Sequence, residues 1–177
     1  MKQYQDLLKK ILTEGEPKSD RTGTGTISIF GTQTRYDLKN SFPLLTTKKV
    51  HLKSIIYELL WFLTGDTNIK FLSDNKVSIW DEWADEDGSI GKAYGYQLGV
   101  KHQYKEGMMD QVDRVIYDLK HTPFSRRILT NIYVHQDLHE MNLYPCAYSM
   151  TFNVTKQPES DKLVLNGILN QRSQDVL

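Results

Sequence analysis

The sequence is short of several features that identify major classes of protein. It contains one cysteine, so no internal disulfide can form, and a reducing compartment fits better than a secretory route. Lysine and arginine together number 22, as do aspartate and glutamate, so the formal net charge is zero. Because there is no overall positive field, we do not expect the chain to bind DNA or an anionic membrane surface.

Long hydrophobic runs are also missing. The most apolar stretch, from Ile55 to Leu63, is interrupted by Glu58 and is too short to span a bilayer. The first residues lack the apolar core of a signal peptide. No spacing of histidine, cysteine or carboxylates matches a zinc or calcium site, and no dinucleotide-binding or Walker glycine motif is present. We therefore expect a cytoplasmic protein without a metal site or a membrane span.

Hydrophobic periodicity predicts a mixture of helices and strands, as in an α+β fold. Apolar residues with helical spacing predict helices over 4–12, 52–64, 67–72 and 112–119. Alternating or β-branched residues predict strands over 26–38, 127–134, 148–154 and 163–171. Residues 80–109 keep no period and are rich in glycine, aspartate and aromatics, which favours a functional segment. The length of 177 residues predicts a single domain, 1–177.

The single cysteine, Cys146, follows Pro145 at the beginning of a predicted strand. A lone cysteine is usually a small buried hydrophobe. The alternative is a nucleophile, and because the reactive form is the negatively charged thiolate, such a cysteine needs cations nearby. Position alone leaves both interpretations open.

Four arginines stand where they could hold an anion. Arg21 lies in a glycine–threonine loop whose N–H groups could bind phosphate, although a plain turn explains the loop equally well. Arg126 and Arg127 begin a predicted strand and so point to opposite faces, for which a solvated pair is the ordinary explanation. Arg172 precedes Ser173 and places a guanidinium beside a hydroxyl. Together they indicate an anionic ligand held by three or four arginines.

Glu58 and several ring-bearing residues are further candidates. Glu58 lies among the apolar residues of a predicted helix, either exposed at the edge of the apolar face or directed into a pocket. In a pocket, burial would raise its pKa and suit it to proton transfer. Trp80 and Trp83, with Tyr94 beyond, either stack on a planar heterocycle or belong to the core. His51, at the beginning of the same helix as Glu58, either binds a ligand or caps the helix.

A series of short motifs follows one order along the chain. They are 20–26 (DRTGTGT), 42–49 (FPLLTTKK), 58–63 (ELLWFL), 79–83 (IWDEW), 94–95 (YG), 125–127 (SRR), 143–146 (LYPC) and 171–175 (QRSQD). Together they resemble the folate-dependent thymidylate synthase family. The resemblance covers the whole chain but only about two thirds of a typical member. It implies a thymidylate synthase-like mixed sheet with packed helices, in a chain that we expect to be incomplete at its carboxyl end and, by itself, inactive.

The resemblance implies reductive methylation of dUMP to dTMP, with 5,10-methylenetetrahydrofolate as the co-substrate. Cys146 would add to C6 of the uracil ring, and Glu58 would manage proton transfers through water. Arg172 would stabilise the thiolate and, with Arg21 and Ser173, hold the phosphate.

The resemblance also assigns the remaining contacts of the site. Those to dUMP would further involve Tyr94, Gln174, Asp175, Arg126 and Arg127. Those to the folate would involve His51, Lys48, Trp80, Trp83 and Asp175. Because the family's arginine pair reaches into the site of the other subunit, Arg126 and Arg127 imply a homodimer.

Two departures from the family pattern stand out. Ala147 follows the nucleophile where the family often has histidine, and residues 154–169 form a longer stretch than in many members. We expect the reaction to tolerate the first, and the second to be a long hairpin away from the site. Two alternatives to the synthase stay open: a pyrimidine nucleotide hydroxymethylase acting on dUMP or dCMP, and a non-catalytic fragment of the synthase.

Overall fold

The computed structural model describes residues 2–20 and 23–176. Within them the chain forms two compact units, one from the N-terminal residues up to His51 together with Val176, the other from Leu52–Asp175. Among the described helices, none is both long and apolar enough to cross a bilayer.

The first unit contains one helix and a small hairpin. The predicted N-terminal helix is confirmed as α1 (Lys2–Glu14), whose buried Tyr4 donates a hydrogen bond from its hydroxyl to the Val176 carbonyl (2.6 Å). Strand β1 (Glu16–Lys18) pairs antiparallel with β2 (Thr26–Ser28).

The strand predicted over 26–38 is wrong beyond Ser28. Strand β2 ends there because its only described partner, β1, is three residues long and offers no further hydrogen bonds. Gly31 has a φ of 75°, a left-handed conformation that interrupts an extended run. Local β-propensity was therefore overridden by the lack of a neighbouring strand.

The second unit contains the remaining helices. They are α2 (Leu52–Leu63), α3 (Lys70–Asp74), α4 (Tyr94–Gly99) and α5 (Gln111–His121), with 3₁₀ turns at Asp81–Trp83 and His135–Glu140. The long helices predicted over 52–64 and 112–119 are confirmed, whereas the short one predicted over 67–72 begins three residues later. The α2 helix is followed by Gly65 with a φ of 75°, which glycine adopts without strain. Asp110 caps α5 by accepting a hydrogen bond from the Asp113 N–H (2.8 Å).

Two antiparallel sheets complete the second unit. Strands β3 (His102–Tyr104) and β4 (Gly107–Met109) form a hairpin. Strands β5 (Leu129–Asn131), β6 (Ala147–Lys156) and β7 (Leu163–Gln171) form a sheet in that order. The predicted last strand has the observed bounds, the strand predicted over 127–134 is shorter, and β6–β7 is the long hairpin expected for 154–169. The mixture of helices and small antiparallel sheets fits an α+β fold.

The core of the second unit lies between α2, α3 and residues 77–93. A cluster of buried hydrophobic residues lies there: Trp61, Leu72, Val77, Trp80, Ile90 and Ala93. The segment without periodicity is therefore ordered, because its apolar side chains pack individually into this core rather than along one face of a long element. The prediction of a single domain stays a prediction.

Candidate functional site

Cys146 lies at the entry to β6 and is half-buried. Pro145 before it is fully buried, which fixes the backbone where the strand begins. The backbone carbonyl of Cys146 accepts a hydrogen bond from the Arg172 N–H (2.9 Å). The backbone N–H of Cys146 donates to the Tyr94 hydroxyl oxygen (2.8 Å). The cysteine is thus held from both sides by predicted site residues.

Arg172 reaches the cysteine because of the register of the sheet. Strands β6 and β7 are antiparallel, and Ala147 pairs with Gln171, so the end of β7 lies beside the beginning of β6. The Arg172 guanidinium then donates from Nε to the Pro145 carbonyl (3.0 Å) and from Nη2 to the Tyr144 carbonyl (2.9 Å). These bonds hold a permanent positive charge beside the segment that carries the thiol.

Tyr94 is the first residue of α4 and belongs to an aromatic cluster. Its ring stacks on Phe62 at 4.7 Å and meets the edge of Trp80 at 5.8 Å, both between ring centroids. Burial raises the pKa of the Tyr94 hydroxyl, and the Cys146 N–H bonded to its oxygen only partly offsets this effect. The phenol is therefore neutral at physiological pH.

Glu58 projects from α2 into the same cluster. It is half-buried, and its Oε1 accepts a hydrogen bond from the Trp80 indole N–H (2.7 Å). Burial raises the pKa of the Glu58 carboxyl, while the hydrogen bond from Trp80 lowers it by a smaller amount. Of the two orientations that the sequence left open, the structure has the inward one.

These contacts bring together Cys146, Arg172, Tyr94, Trp80 and Glu58, which are far apart in the sequence. Sequence reasoning assigned no part in the cluster to Phe62, whose ring stacks on that of Tyr94. Phe62 follows Glu58 by four residues and therefore shares its helix face, and this spacing was the available signal.

The two tryptophans of the expected folate contacts differ in burial. Trp80 is 7% exposed, with its ring among Trp61, Phe62 and Tyr94. Trp83 is partly buried against the same core. The Trp80 ring thus has little exposed surface on which a ligand could stack. Its described contact with a predicted catalytic residue is the hydrogen bond to Glu58.

No contact that the structure describes joins the other predicted site residues of the second unit to this cluster. Arg126 and Arg127 are exposed between α5 and β5, and none of the described contacts joins them to Cys146. Ser173, Gln174 and Asp175 are exposed beyond β7.

Three predicted residues belong to the first part of the chain. Lys48 and His51 are exposed in the first unit. Arg21 lies outside the described residues. The roles predicted for all three stay predictions.

Metal-ligating side chains do not cluster in the part of the chain that the structure describes: no group of three or more histidine, cysteine, aspartate or glutamate residues there could hold a metal ion.

Comparison with known families identifies one family. The family model described as thymidylate synthase matches residues 2–177, essentially the whole chain. Membership of this family supports the synthase or the related hydroxymethylase class, and it implies use of a folate co-substrate. A match of this extent leads to one conclusion: the chain belongs to the thymidylate synthase family.

Proposed function

We propose that the full-length protein methylates dUMP reductively to dTMP, with Cys146 as the nucleophile. The observation that carries the proposal is the setting of the one cysteine, which lies between the guanidinium-bearing Arg172 and the hydroxyl of Tyr94. The Arg172 guanidinium binds the carbonyls of Tyr144 and Pro145, the two residues before Cys146, and a nucleophilic cysteine needs such a cation near it.

The chemistry of uracil explains why a thiol is needed. Carbon C5 of the ring is a poor nucleophile, and addition of the Cys146 thiolate to C6 makes C5 resemble an enolate. The thiolate is the attacking form, so a nearby positive charge favours the reaction. Two of the five N–H groups of Arg172 bind the carbonyls of Pro145 and Tyr144, and the others remain to bind the substrate phosphate.

Glu58 is proposed to transfer protons near the base. Because the pKa of Glu58 is raised, a part of its carboxyl stays protonated at a pH closer to neutrality than in an exposed glutamate. Such a pKa suits a group that both gives and takes protons. Trp80 holds one carboxylate oxygen, so the other is free to contact an ordered water.

Three residues of the second unit are candidates to contact a folate co-substrate. When bound, 5,10-methylenetetrahydrofolate supplies the one-carbon unit and the hydride. Ile79, about half exposed, adjoins Trp80 and offers apolar surface next to the aromatic cluster. Trp83 adds a partly buried ring, and the exposed Asp175 carboxylate can accept hydrogen bonds from ring N–H groups. We propose that these residues position the pterin, with Trp80 acting through Glu58.

The test is to replace Cys146 with alanine. Turnover should disappear while dUMP binding stays within about tenfold, because the thiol contributes little to ground-state affinity. A dUMP analogue with fluorine at C5, given with the folate, should trap a covalent adduct on the unmodified protein, because fluorine does not leave as a proton does. Substantial dTMP formation by Cys146→Ala, or an adduct mapped by mass spectrometry to another residue, would refute the mechanism.

The same assay separates the synthase from the hydroxymethylase class. A synthase consumes dUMP and releases dihydrofolate, whereas a hydroxymethylase adds water at the last step and releases none. Comparing dUMP with dCMP, while following dihydrofolate by absorbance, therefore decides between the two activities. A hydroxymethylated product without dihydrofolate would overturn our proposal.

A further inference from the structure

We propose that Tyr94 is a positioning residue for the nucleophile: its hydroxyl oxygen fixes the Cys146 backbone and joins it to the aromatic cluster that holds Glu58. This inference rests on the function proposed for Cys146. It differs from a contact between Tyr94 and dUMP, because it concerns the protein's own backbone.

Two residues make the described hydrogen bonds to the backbone of residues 144–146. Arg172 binds the carbonyls of Tyr144, Pro145 and Cys146, two through its side chain and one through its own N–H. The Cys146 N–H has its described partner in the Tyr94 hydroxyl. Arg172 thus holds the carbonyl groups of this segment, and Tyr94 holds the amide of the reacting residue itself.

The hydroxyl of Tyr94 can act in this way because the residue is itself tightly placed. Its ring stacks on Phe62 of α2. The next residue, Gly95, approaches Asp66 so closely that an added Cβ would lie 2.0 Å from the Asp66 carbonyl oxygen. A side chain that begins one closely packed helix and stacks on another holds a hydrogen bond in one geometry better than a side chain on a loop.

The same cluster connects the nucleophile to the proposed proton-transfer group. The Trp80 ring contacts Tyr94, and its indole N–H binds Glu58. Burial raises the pKa of the Tyr94 hydroxyl, so this hydroxyl accepts from the Cys146 N–H as a neutral group over the physiological range. The relative position of thiol and carboxyl therefore depends on Tyr94.

The test is the Tyr94→Phe variant, which deletes one oxygen and keeps the ring that stacks on Phe62. We expect hydrogen exchange of the Cys146 amide, followed by NMR, to accelerate about fivefold, since a hydrogen bond of about 1 kcal/mol is lost. Turnover number should fall about tenfold or more, with the KM for dUMP within about threefold. Amide exchange in α5 should not change.

The matched control is Tyr96→Phe. Tyr96 lies on the same helix, and its described ring contact is with the Lys92 ammonium. Loss of this hydroxyl should leave both the Cys146 amide exchange and the turnover number within about twofold of the unmodified protein. An equal response of the two variants would overturn the inference, because any perturbation of α4 would then suffice.

Two further outcomes would also overturn it. Unchanged exchange of the Cys146 amide in Tyr94→Phe, even with lower turnover, would mean that the hydroxyl acts on the substrate instead. Faster exchange throughout β6 and β7, with a lower melting temperature, would show a general structural role. Failure of the proposed function is recognised separately, since the unmodified protein would then form no adduct at Cys146, and the positioning role would lose its reacting group.

Discussion

At the residue scale, the Glu58 carboxyl is governed by burial opposed by one hydrogen bond. Its pKa in the folded protein is raised above the ordinary value of 4.5 because burial outweighs the bond from Trp80. At a pH between the ordinary pKa and the raised pKa of Glu58, the folded state binds more protons than the unfolded state. Stability therefore falls as the pH rises through this window, and the loss is complete above the raised pKa.

The Glu58→Gln variant tests this balance. A glutamine keeps an oxygen that accepts from the Trp80 indole but cannot ionise, so the free energy of unfolding should exceed that of the unmodified protein at pH 8. The difference should vanish as the pH falls below about 4.5. Turnover should meanwhile drop by about 10²–10⁴-fold, as for the loss of a general acid or base.

Urea unfolding at a series of pH values measures the first effect, and dihydrofolate formation measures the second. Glu86→Gln is the control, because Glu86 is exposed and has no part in the proposed site. Equal stability of the Glu58→Gln and unmodified proteins at pH 8 would contradict the conclusion that burial dominates at Glu58.

At the scale of elements, α4 owes its position to glycines. An added Cβ on Gly99 would lie 2.6 Å from the Gly65 Cα, and one on Gly95 would lie 2.0 Å from the Asp66 carbonyl oxygen. The backbone of α4 thus packs directly on the residues that follow α2. Because Tyr94 begins α4, this contact also determines where the tyrosine hydroxyl meets Cys146.

We therefore expect Gly95→Ala to be costly. The backbone of Asp66 would have to move, and overpacking of this kind costs about 1–3 kcal/mol of unfolding free energy. Gly167→Ala in β7 is the control, since its Cβ would meet only the Phe152 ring at an ordinary 3.9 Å. That change should alter stability by less than about 1 kcal/mol. Urea unfolding measures the stability of both variants. Equal losses of unfolding free energy would mean that the close approach of α4 to Asp66 does not make an added Cβ destabilising.

At the scale of the whole molecule, the homodimer that the family resemblance implies predicts active sites shared between two copies. Arg126 and Arg127 are exposed, and the described contacts do not join them to Cys146 of their own chain. Each arginine is therefore available to a second copy. In a symmetric dimer, a residue given to the partner's site is received from it as well.

Mixing two inactive variants tests this exchange. A Cys146→Ala chain keeps its arginines, and an Arg126→Glu chain keeps its cysteine, so a mixed dimer contains one intact site. Random pairing should then restore about a quarter of the unmodified activity, because half of the dimers are mixed and half of their sites are intact.

The control mixture combines Cys146→Ala with Glu58→Gln. Both residues serve their own subunit in the proposed mechanism, so neither site of this mixed dimer is complete and no activity should return. Absence of recovery in the first mixture, with mixed dimers shown by mass spectrometry, would mean that Arg126 does not act in the partner's site.

Local patterns in the sequence were sufficient to predict the helices and the strand that have strong hydrophobic periodicity. The helices α2 and α5 and the strand β7 follow from their apolar spacing, since a helix makes its hydrogen bonds within a few residues and β7 pairs through one hairpin. The order of the short motifs was sufficient to identify the family, because such motifs contain the residue types that the family's site needs. The predicted strand over 26–38 failed because strands need a partner, and periodicity does not show whether one is there.

Only the tertiary structure decided how the candidate site is assembled. The sequence left the orientation of Glu58 open, and in the structure its carboxylate turns inward and accepts a hydrogen bond from the buried Trp80. Tyr94 and Cys146 are 52 residues apart, and the docking of α4 brings them into hydrogen-bond contact. Such contacts depend on how separate elements pack and on the register of β6 with β7, and these are properties of the folded chain rather than of any local stretch of it.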